Sequence, residues 1–270
     1  MTTETSAIEV AALVEAHGEA VLAFAHGMLG SWADAQGVTQ ETFLRAHRGA
    51  STFRGESTPR TWLFAIARNA CLDRLRRRTV RSFATLDEVV EGGIREATRP
   101  DALHADPGAA GARARYVAAV REGCLLGTLG CLTTDQRAAF VLRTLTDLTT
   151  DDVARVLDRT PNAVRVLVHR ARARLKDFLC RHCCLCDAAN ACRCENLVAF
   201  SLARGWIGRD DAGRADADLR EVVEAAARAV DDVARLSALY AAAGRAGRTD
   251  AAAPLRAGLA RLEELARTSR

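Results

Sequence analysis

The chain's 270 residues are 49% hydrophobic and 27% charged, with a formal net charge of +4. This reads as a soluble globular protein with room for two or three small cores. The first twenty residues, MTTETSAIEVAALVEAHGEA, have no basic start and no unbroken apolar stretch, and no run approaches a membrane span. A signal peptide and a membrane partner are therefore not expected, and a cytoplasmic setting with reduced thiols is.

Aromatic residues make up only 5% while alanine and leucine abound, which favours helices over sheets. Charge is uneven. Residues 60–81 hold seven arginines against Asp73, and residues 159–177 hold five arginines, Lys176 and His169 against Asp177. Two basic stripes suggest a polyanion gripped at two places, although either stripe alone is equally a solvated helix face.

In chain order, residues 8–29 read as an amphipathic helix on Leu13, Val14, Val21, Leu22, Phe24, Met28 and Leu29. Gly30 ends it, and Ser31, with Asp34 three residues on, caps a second helix that runs to about His47. STFRGES, residues 51–57, is a loop. Thr58 as cap and Pro59 in the first helical position then restart a helix through TPRTWLFAIARNACLDRLRRR. Residues 84–112 contain Gly92, Gly93, Pro100, Pro107, Gly108 and Gly111 with little periodicity and read as a linker. Helices resume near 113 and continue to about 145, interrupted around GTLGCLTTDQ.

Thr149 with Asp152 fits a capping box, followed by a short buried face of Val153, Ala154 and Leu157. Thr160–Pro161 repeats the cap-plus-proline start for a helix over 161–179. Two helices about a tight turn, the second basic, are the helix-turn-helix pattern. Further on, Leu219, Val222, Ala226, Val230, Val233, Leu236 and Tyr240, then Leu255, Leu259, Leu262 and Ala266, predict a helical hairpin over 214–268. Its apolar stripe is core packing or a partner-binding face.

The order of these parts carries a resemblance. ADAQGVTQETFLRAHRGASTFRGESTPRTWLFAIARNACLDRLRRR resembles region 2 of the extracytoplasmic-function (ECF) sigma factors of bacterial RNA polymerase. LTTDQRAAFVLRTLTDLTTDDVARVLDRTPNAVRVLVHRARARL resembles their region 4. The resemblance implies an all-α, non-enzymatic initiation factor whose partners are core RNA polymerase and promoter DNA. Its parts would be region 2 over 8–82, a flexible linker over 83–112, region 4 over 113–179, a cysteine-rich segment over 180–194 and a helical extension over 195–270.

Strand opening needs aromatic platforms for unstacked bases and cations along the backbone. Phe53, Arg54, Arg60, Thr61, Trp62 and Asn69 offer that mix, and Arg74, Arg76, Arg77 and Arg78 offer phosphate contacts. By the resemblance, Phe53 and Asn69 sit where the family captures a flipped base of the minus-ten element. Trp62 is equally a base platform or helix core, and Leu63 reads as core. In the second module Asn162, Arg165 and His169 are candidate readers of the minus-thirty-five element, while Arg170, Arg172 and Arg174 suit phosphates.

The resemblance also implies that the helix ADAQGVTQETFLRAH docks on the polymerase, through Asp34, Gln40, Glu41 and Phe43. Gln36 and Gly37 replace the family's usual acidic pair there, and a mid-helix glycine costs about 1 kcal/mol relative to alanine. Ala163 and Val166 stand where the family typically has Thr and Ser, so promoter sequence does not transfer from relatives.

Six of the nine cysteines fall within CRHCCLCDAANACRC, residues 180–194. A thiolate metal site needs two short-spaced pairs brought together by a turn, and Asp187–Asn190 can supply one. The candidate ligands are Cys180, His182, Cys183, Cys184, Cys186, Cys192 and Cys194, and thiolates suit zinc or copper(I) alike. A thiol–disulfide switch and inert cysteines are the other readings. A metal-responsive sub-group of the ECF family has such a tail. The resemblance thus implies a sensor in the same chain and no separate anti-sigma factor. Cys71, Cys124 and Cys131 are isolated in sequence and read as ordinary buried small hydrophobes. The rival functional reading is a stand-alone metal- or redox-responsive helix-turn-helix regulator, and a structural zinc stapling a protein-interaction tail is a third.

Overall fold

A computed structural model describes residues 10–76, 83–97, 110–146 and 148–207. These are helical, with no strand among them. In order they form α1 (Val10–Leu29), α2 (Trp32–Gly49), a 3-10 turn (Ala50–Thr52), α3 (Pro59–Leu75), α4 (Phe83–Ala97), α5 (Ala110–Gly130), α6 (Thr134–Leu145), α7 (Thr150–Leu157), α8 (Pro161–His182), a second 3-10 turn (Cys194–Leu197) and α9 (Val198–Ala203). The hairpin expected over 214–268 lies outside the described residues.

Local chemistry starts these helices where the sequence places the caps. The Ser31 hydroxyl accepts from the Asp34 amide at 3.4 Å, and Gly30 ends α1 at φ 63°. Thr58 Oγ1 accepts from the Thr61 amide at 3.1 Å ahead of Pro59. At α7 the capping box closes both ways: the Asp152 amide donates to Thr149 Oγ1 at 3.1 Å, and the Thr149 amide donates to Asp152 Oδ2 at 3.2 Å. Asp158 ends α7 with φ 54°, and Thr160 Oγ1 accepts from the Ala163 amide to start α8.

The described residues fall into two compact units. The first takes residues 10–76, 141–146 and 148–167. Its α1, α2 and α3 pack together, and α7 packs on α3. Val21, Leu22, Phe24, Met28, Phe43, Leu63, Phe64 and Cys71 are nearly or fully buried there, with the Phe24 and Phe64 rings edge to face at 5.9 Å. Gly27 allows the approach of α6, since a Cβ on it would stand 2.8 Å from Val141 Cγ1.

The second unit takes residues 83–97, 110–140 and 168–207. Here α4, α5 and α9 surround the 3-10 turn at 194–197, burying Val90, Val120, Leu125, Cys192, Cys194, Leu197 and Phe200. Much of the stretch expected to be a flexible linker is thus helical: α4 occupies 83–97 and α5 begins at 110. Of the glycines that suggested a break, Gly93 serves packing, while Gly92 has nothing within 4 Å of a Cβ. A Cβ on Gly93 would lie 2.7 Å from Leu197 Cδ2, so the bare backbone lets α4 close on the 3-10 turn. Glu96 and Arg204 pair at 2.8 Å, and the Arg204 guanidinium lies 3.7 Å from the centre of the Phe200 ring.

Candidate nucleic-acid interface and thiol cluster

Phe53, set by the 3-10 turn after α2, meets Trp62 of α3 with ring centroids 5.3 Å apart. Both rings are half-buried, so Trp62 is neither wholly core nor wholly surface. Asn69 lies seven residues on, two turns along the same face of α3, and is exposed; its Oδ1 accepts from Arg68 Nη1 at 3.3 Å. Arg54 is exposed and Arg60 half-buried. The ring pair and Asn69 thus share one side of α3, whereas Arg60, two residues before Trp62, lies on the other side and Arg54 sits in the loop before the helix.

Two residues assigned to different partners engage each other instead. Arg74, a candidate phosphate contact, pairs with Asp34, a candidate polymerase contact. Arg76 pairs with Asp73 at 3.3 Å and remains 77% exposed. Arg77 lies outside the described residues. On α2, Gln40 is exposed, and Glu41 takes Arg45 at 2.8 Å, which also reaches Asp73 at 3.2 Å. Phe43 departs from expectation: at 1% exposure it is core and offers no docking surface. Its apolar ring belongs to the buried stripe of α2 with Ala35, Val38 and Ala46.

On α8, Asn162, Arg165 and His169 are exposed, and Val166, at 39% exposure, joins them at helical spacing. Arg170 is exposed and Arg172 half-buried. Val164, Val168, Ala171 and Leu175 lie on the opposite, buried stripe. A helix capped by a tight turn, bare and basic on one face, is suited to a DNA groove.

The helix α8 runs into the cysteine segment and ends at His182. Cys180 is joined to Cys186 by a disulfide. Asp187–Asn190 forms the expected turn: the Asn190 amide donates to Asp187 O at 3.1 Å, and Asn190 Nδ2 donates to Cys180 O at 2.9 Å and Cys183 O at 3.2 Å. That turn brings Cys183 and Cys192 into a parallel β-bridge, with the Cys184 amide donating to Cys192 O at 3.3 Å. His182 points elsewhere. Its Nε2 stands 2.7 Å from Asp87 Oδ1 on α4, a charge pair when the imidazole is protonated. As the side chains stand, no three His, Cys, Asp or Glu among the described residues are grouped closely enough to hold a metal ion.

The thiols differ in character. Cys184 is held down to about 6, because the Cys183 thiol donates to it and the Arg193 guanidinium is close. Cys192 is pushed up to about 11 by burial and by its thiol neighbours Cys194 and Cys184. Burial pushes Cys194 up, opposed by Arg121. Cys124 on α5 is pushed up to about 12 by burial and then by Cys194 and Cys192. Cys124 is therefore not the isolated residue its sequence position suggests. Cys71 and Cys131 are buried as expected.

Comparison with known proteins fits these two modules. Residues 13–81 match the family model Sigma-70 region 2, and residues 122–175 match Sigma-70, region 4. The chain thus carries stretches similar to regions 2 and 4 of the sigma-70 family, in that order. The chain is similar to the ECF RNA polymerase sigma factor SigE of Mycolicibacterium smegmatis, at 30% identity over 171 residues, covering 63% of this chain and 61% of that protein. It is 34% identical over 146 residues to the ECF RNA polymerase sigma factor SigM of Mycobacterium tuberculosis, covering 54% of this chain and 64% of that protein. The chain thus spans less than two thirds of the length of these relatives. A solved structure of CnrH in complex with the cytosolic domain of CnrY is 25% identical, with a TM-score of 0.43 over 63% of this chain and 86% of that one.

Proposed function

We propose that the chain acts as an ECF sigma factor, directing core RNA polymerase to promoters under the control of a metal ion bound at its cysteine segment. The observation that carries the first half is the pairing of two modules in order: an α3 face with the Phe53–Trp62 ring pair and Asn69, and an exposed basic face on a capped α8. In this reading Phe53, Trp62 and Asn69 take an unstacked base of the minus-ten element while Arg54 and Arg60 hold its backbone. Asn162, Arg165 and His169 contact base edges of the minus-thirty-five element, and Arg170 and Arg172 fix the register on phosphate. Asp34, Gln40 and Glu41 of α2 are the polymerase-facing group.

The donor chemistry supports the second half. Six cysteines within fifteen residues, folded back by the turn at 187–190, offer the soft thiolates that zinc or copper(I) prefers. When bound, such an ion would cross-link the segment that directly continues α8, and so bias that helix. The signal receptor then lies in the same chain, and no separate anti-sigma protein is required.

Band-shift titrations on a promoter fragment test this reading, with the chain alone, core polymerase alone and both together. A specific complex is expected only with both. Tight, specific duplex binding by the chain alone, unaffected by polymerase, would instead make it a stand-alone regulator.

A further inference from the structure

We propose that the packing of α7 on α3, latched by Thr61 and Asp152, is a closed, self-inhibited state of the free chain that opens before both promoter elements can be read. This rests on the sigma-factor reading above and adds a switch between its two DNA-reading modules.

The contact lies within one compact unit. There α7 packs against α3, and the Thr61 hydroxyl donates to Asp152 Oδ1 at 3.1 Å. Thr61 is 2% exposed and stands one residue before Trp62, so the tie falls inside the base-capture helix. Across the contact, the Thr149 amide and hydroxyl both donate to Asp152 Oδ2, at 3.2 Å and 2.6 Å. One carboxylate oxygen thus anchors the start of α7 while the other is turned to α3. Val153, Val156 and Leu157 of α7 are buried in the same arrangement.

Reach decides what this arrangement permits. Only residues 158–160 separate α7 from α8, so the first turn of α8 travels with α7. Helices advance about 1.5 Å per residue and extended chain about 3.6 Å. Even with residues 158–160 fully stretched, the path from Asn69 through the Thr61–Asp152 bond to Arg165 therefore spans less than about 50 Å. The minus-ten and minus-thirty-five elements lie, by their names, about 25 base pairs apart, which is about 85 Å of duplex. Bending does not close the gap, since a smooth bend of about 90° shortens that span by only about a tenth.

With α3 and α7 in contact, the chain reaches one element or the other and not both. Reading both requires the Thr61–Asp152 bond to break and α7 to leave α3. A partner that binds only the open form has to supply that difference, and the closed contact weakens its apparent affinity by the same factor. One hydrogen bond to a carboxylate is a weak latch, so it sets a threshold for engagement and not a permanent lock.

The test is single-molecule energy transfer on the full-length chain. Dyes are attached through azidophenylalanine placed at Glu56, in the loop before α3, and at Arg159, in the turn after α7, both exposed positions. The free chain is expected in a high-transfer state, and core RNA polymerase with promoter DNA should convert it to a low-transfer state. Thr61→Val and Asp152→Ala should each raise the open-to-closed ratio of the free chain by about two- to tenfold. Thr149→Ala, which removes the cap hydroxyl but not the Thr61–Asp152 bond, should stay near wild type. A free wild-type chain with low transfer overturns the closed state, as does a promoter complex that keeps high transfer. Both readouts use the wild-type sequence at the contact and so are independent of any folding defect in the variants. Thr61→Val and Asp152→Ala ratios equal to wild type overturn the latch. Specific transcripts from a chain that keeps high transfer overturn this proposal alone, whereas the absence of any promoter-specific transcript overturns the reading beneath it as well.

Discussion

The Thr61 hydroxyl on α3 donates to Asp152 Oδ1 on α7 at 3.1 Å, across 91 residues of chain. Asp152 is also the reciprocal partner of Thr149 in the capping box, so one carboxylate both starts α7 and ties it to α3. The helix with the base-capture candidates is thereby held to the first helix of the helix-turn-helix. Hydrogen bonds from Thr149, and then from Thr61, hold the Asp152 carboxyl below the usual aspartate range. A depressed folded-state value means that this stabilisation is present above the unfolded aspartate pKa, near 3.9, and fades as pH falls through the folded value.

A double-mutant cycle measures the tie. Asp152→Ala should cost about 1 kcal/mol from the cap alone. Together with Thr61→Val, it should show a coupling of about 0.5–1.5 kcal/mol in denaturant unfolding. Strict additivity would show that the bond contributes nothing to stability.

His26 is a second pH-dependent element. It is 4% exposed against Trp32, with ring centroids 4.6 Å apart, and burial lowers its pKa to about 4. The unfolded state then binds a proton that the folded state refuses, so stability falls as pH drops from about 6.5 to about 4. The total loss is about 3 kcal/mol. His26→Gln should flatten this part of the stability–pH curve, and a curve as steep as wild type would contradict the assignment.

Two glycines should respond in opposite directions. Gly27→Ala drives a Cβ to 2.8 Å from Val141, a stiff β-branched neighbour, and should destabilise by about 1–3 kcal/mol. Gly37 lies inside α2 with nothing within 4 Å of a Cβ, so Gly37→Ala should stabilise by up to about 1 kcal/mol. Thermal melts of the two variants check both signs.

These contrasts mark what could be read from the chain alone. The starts of α2, α3, α7 and α8 were legible because Ser31, Thr58–Pro59, Thr149 with Asp152, and Thr160–Pro161 act on amides three residues away. The helix α4 was hidden because Gly92 and Gly93 look like breakers, and only Leu197, over a hundred residues later, shows why Gly93 is there. Phe43 carried a family role in the sequence but lies on the buried stripe of α2. Cys124 was unreadable for the same reason as Gly93: its thiol neighbours are brought to it only by the packing of α5 on residues 194–197. The pairing of Arg74 with Asp34 likewise joins two helices that sequence reasoning treated separately.

On the proposed function, the exposed face of α8 divides into readers and grips. Arg165→Ala should cost about 1–3 kcal/mol on the preferred promoter and relax preference at one base position. Arg170→Ala should weaken binding evenly across sequences and reduce the salt slope by about 1. Salt-dependent binding of the polymerase complex to matched and mutated promoter fragments separates the two.

The most direct test of the central claim is run-off transcription by core RNA polymerase from the promoter upstream of this protein's own coding sequence. Reactions would carry no added factor, the wild-type chain, or a Trp62→Ala/Asn69→Ala variant. Reduced, metal-free protein would be compared with protein titrated with Zn²⁺ or Cu⁺. Promoter-specific transcripts are expected only with the wild-type chain, with the double variant strongly impaired on duplex template but rescued on a template pre-opened at the minus-ten element, and with yield shifting on addition of one metal. No specific transcript at any metal level, while the chain still binds that DNA without polymerase, would contradict the account.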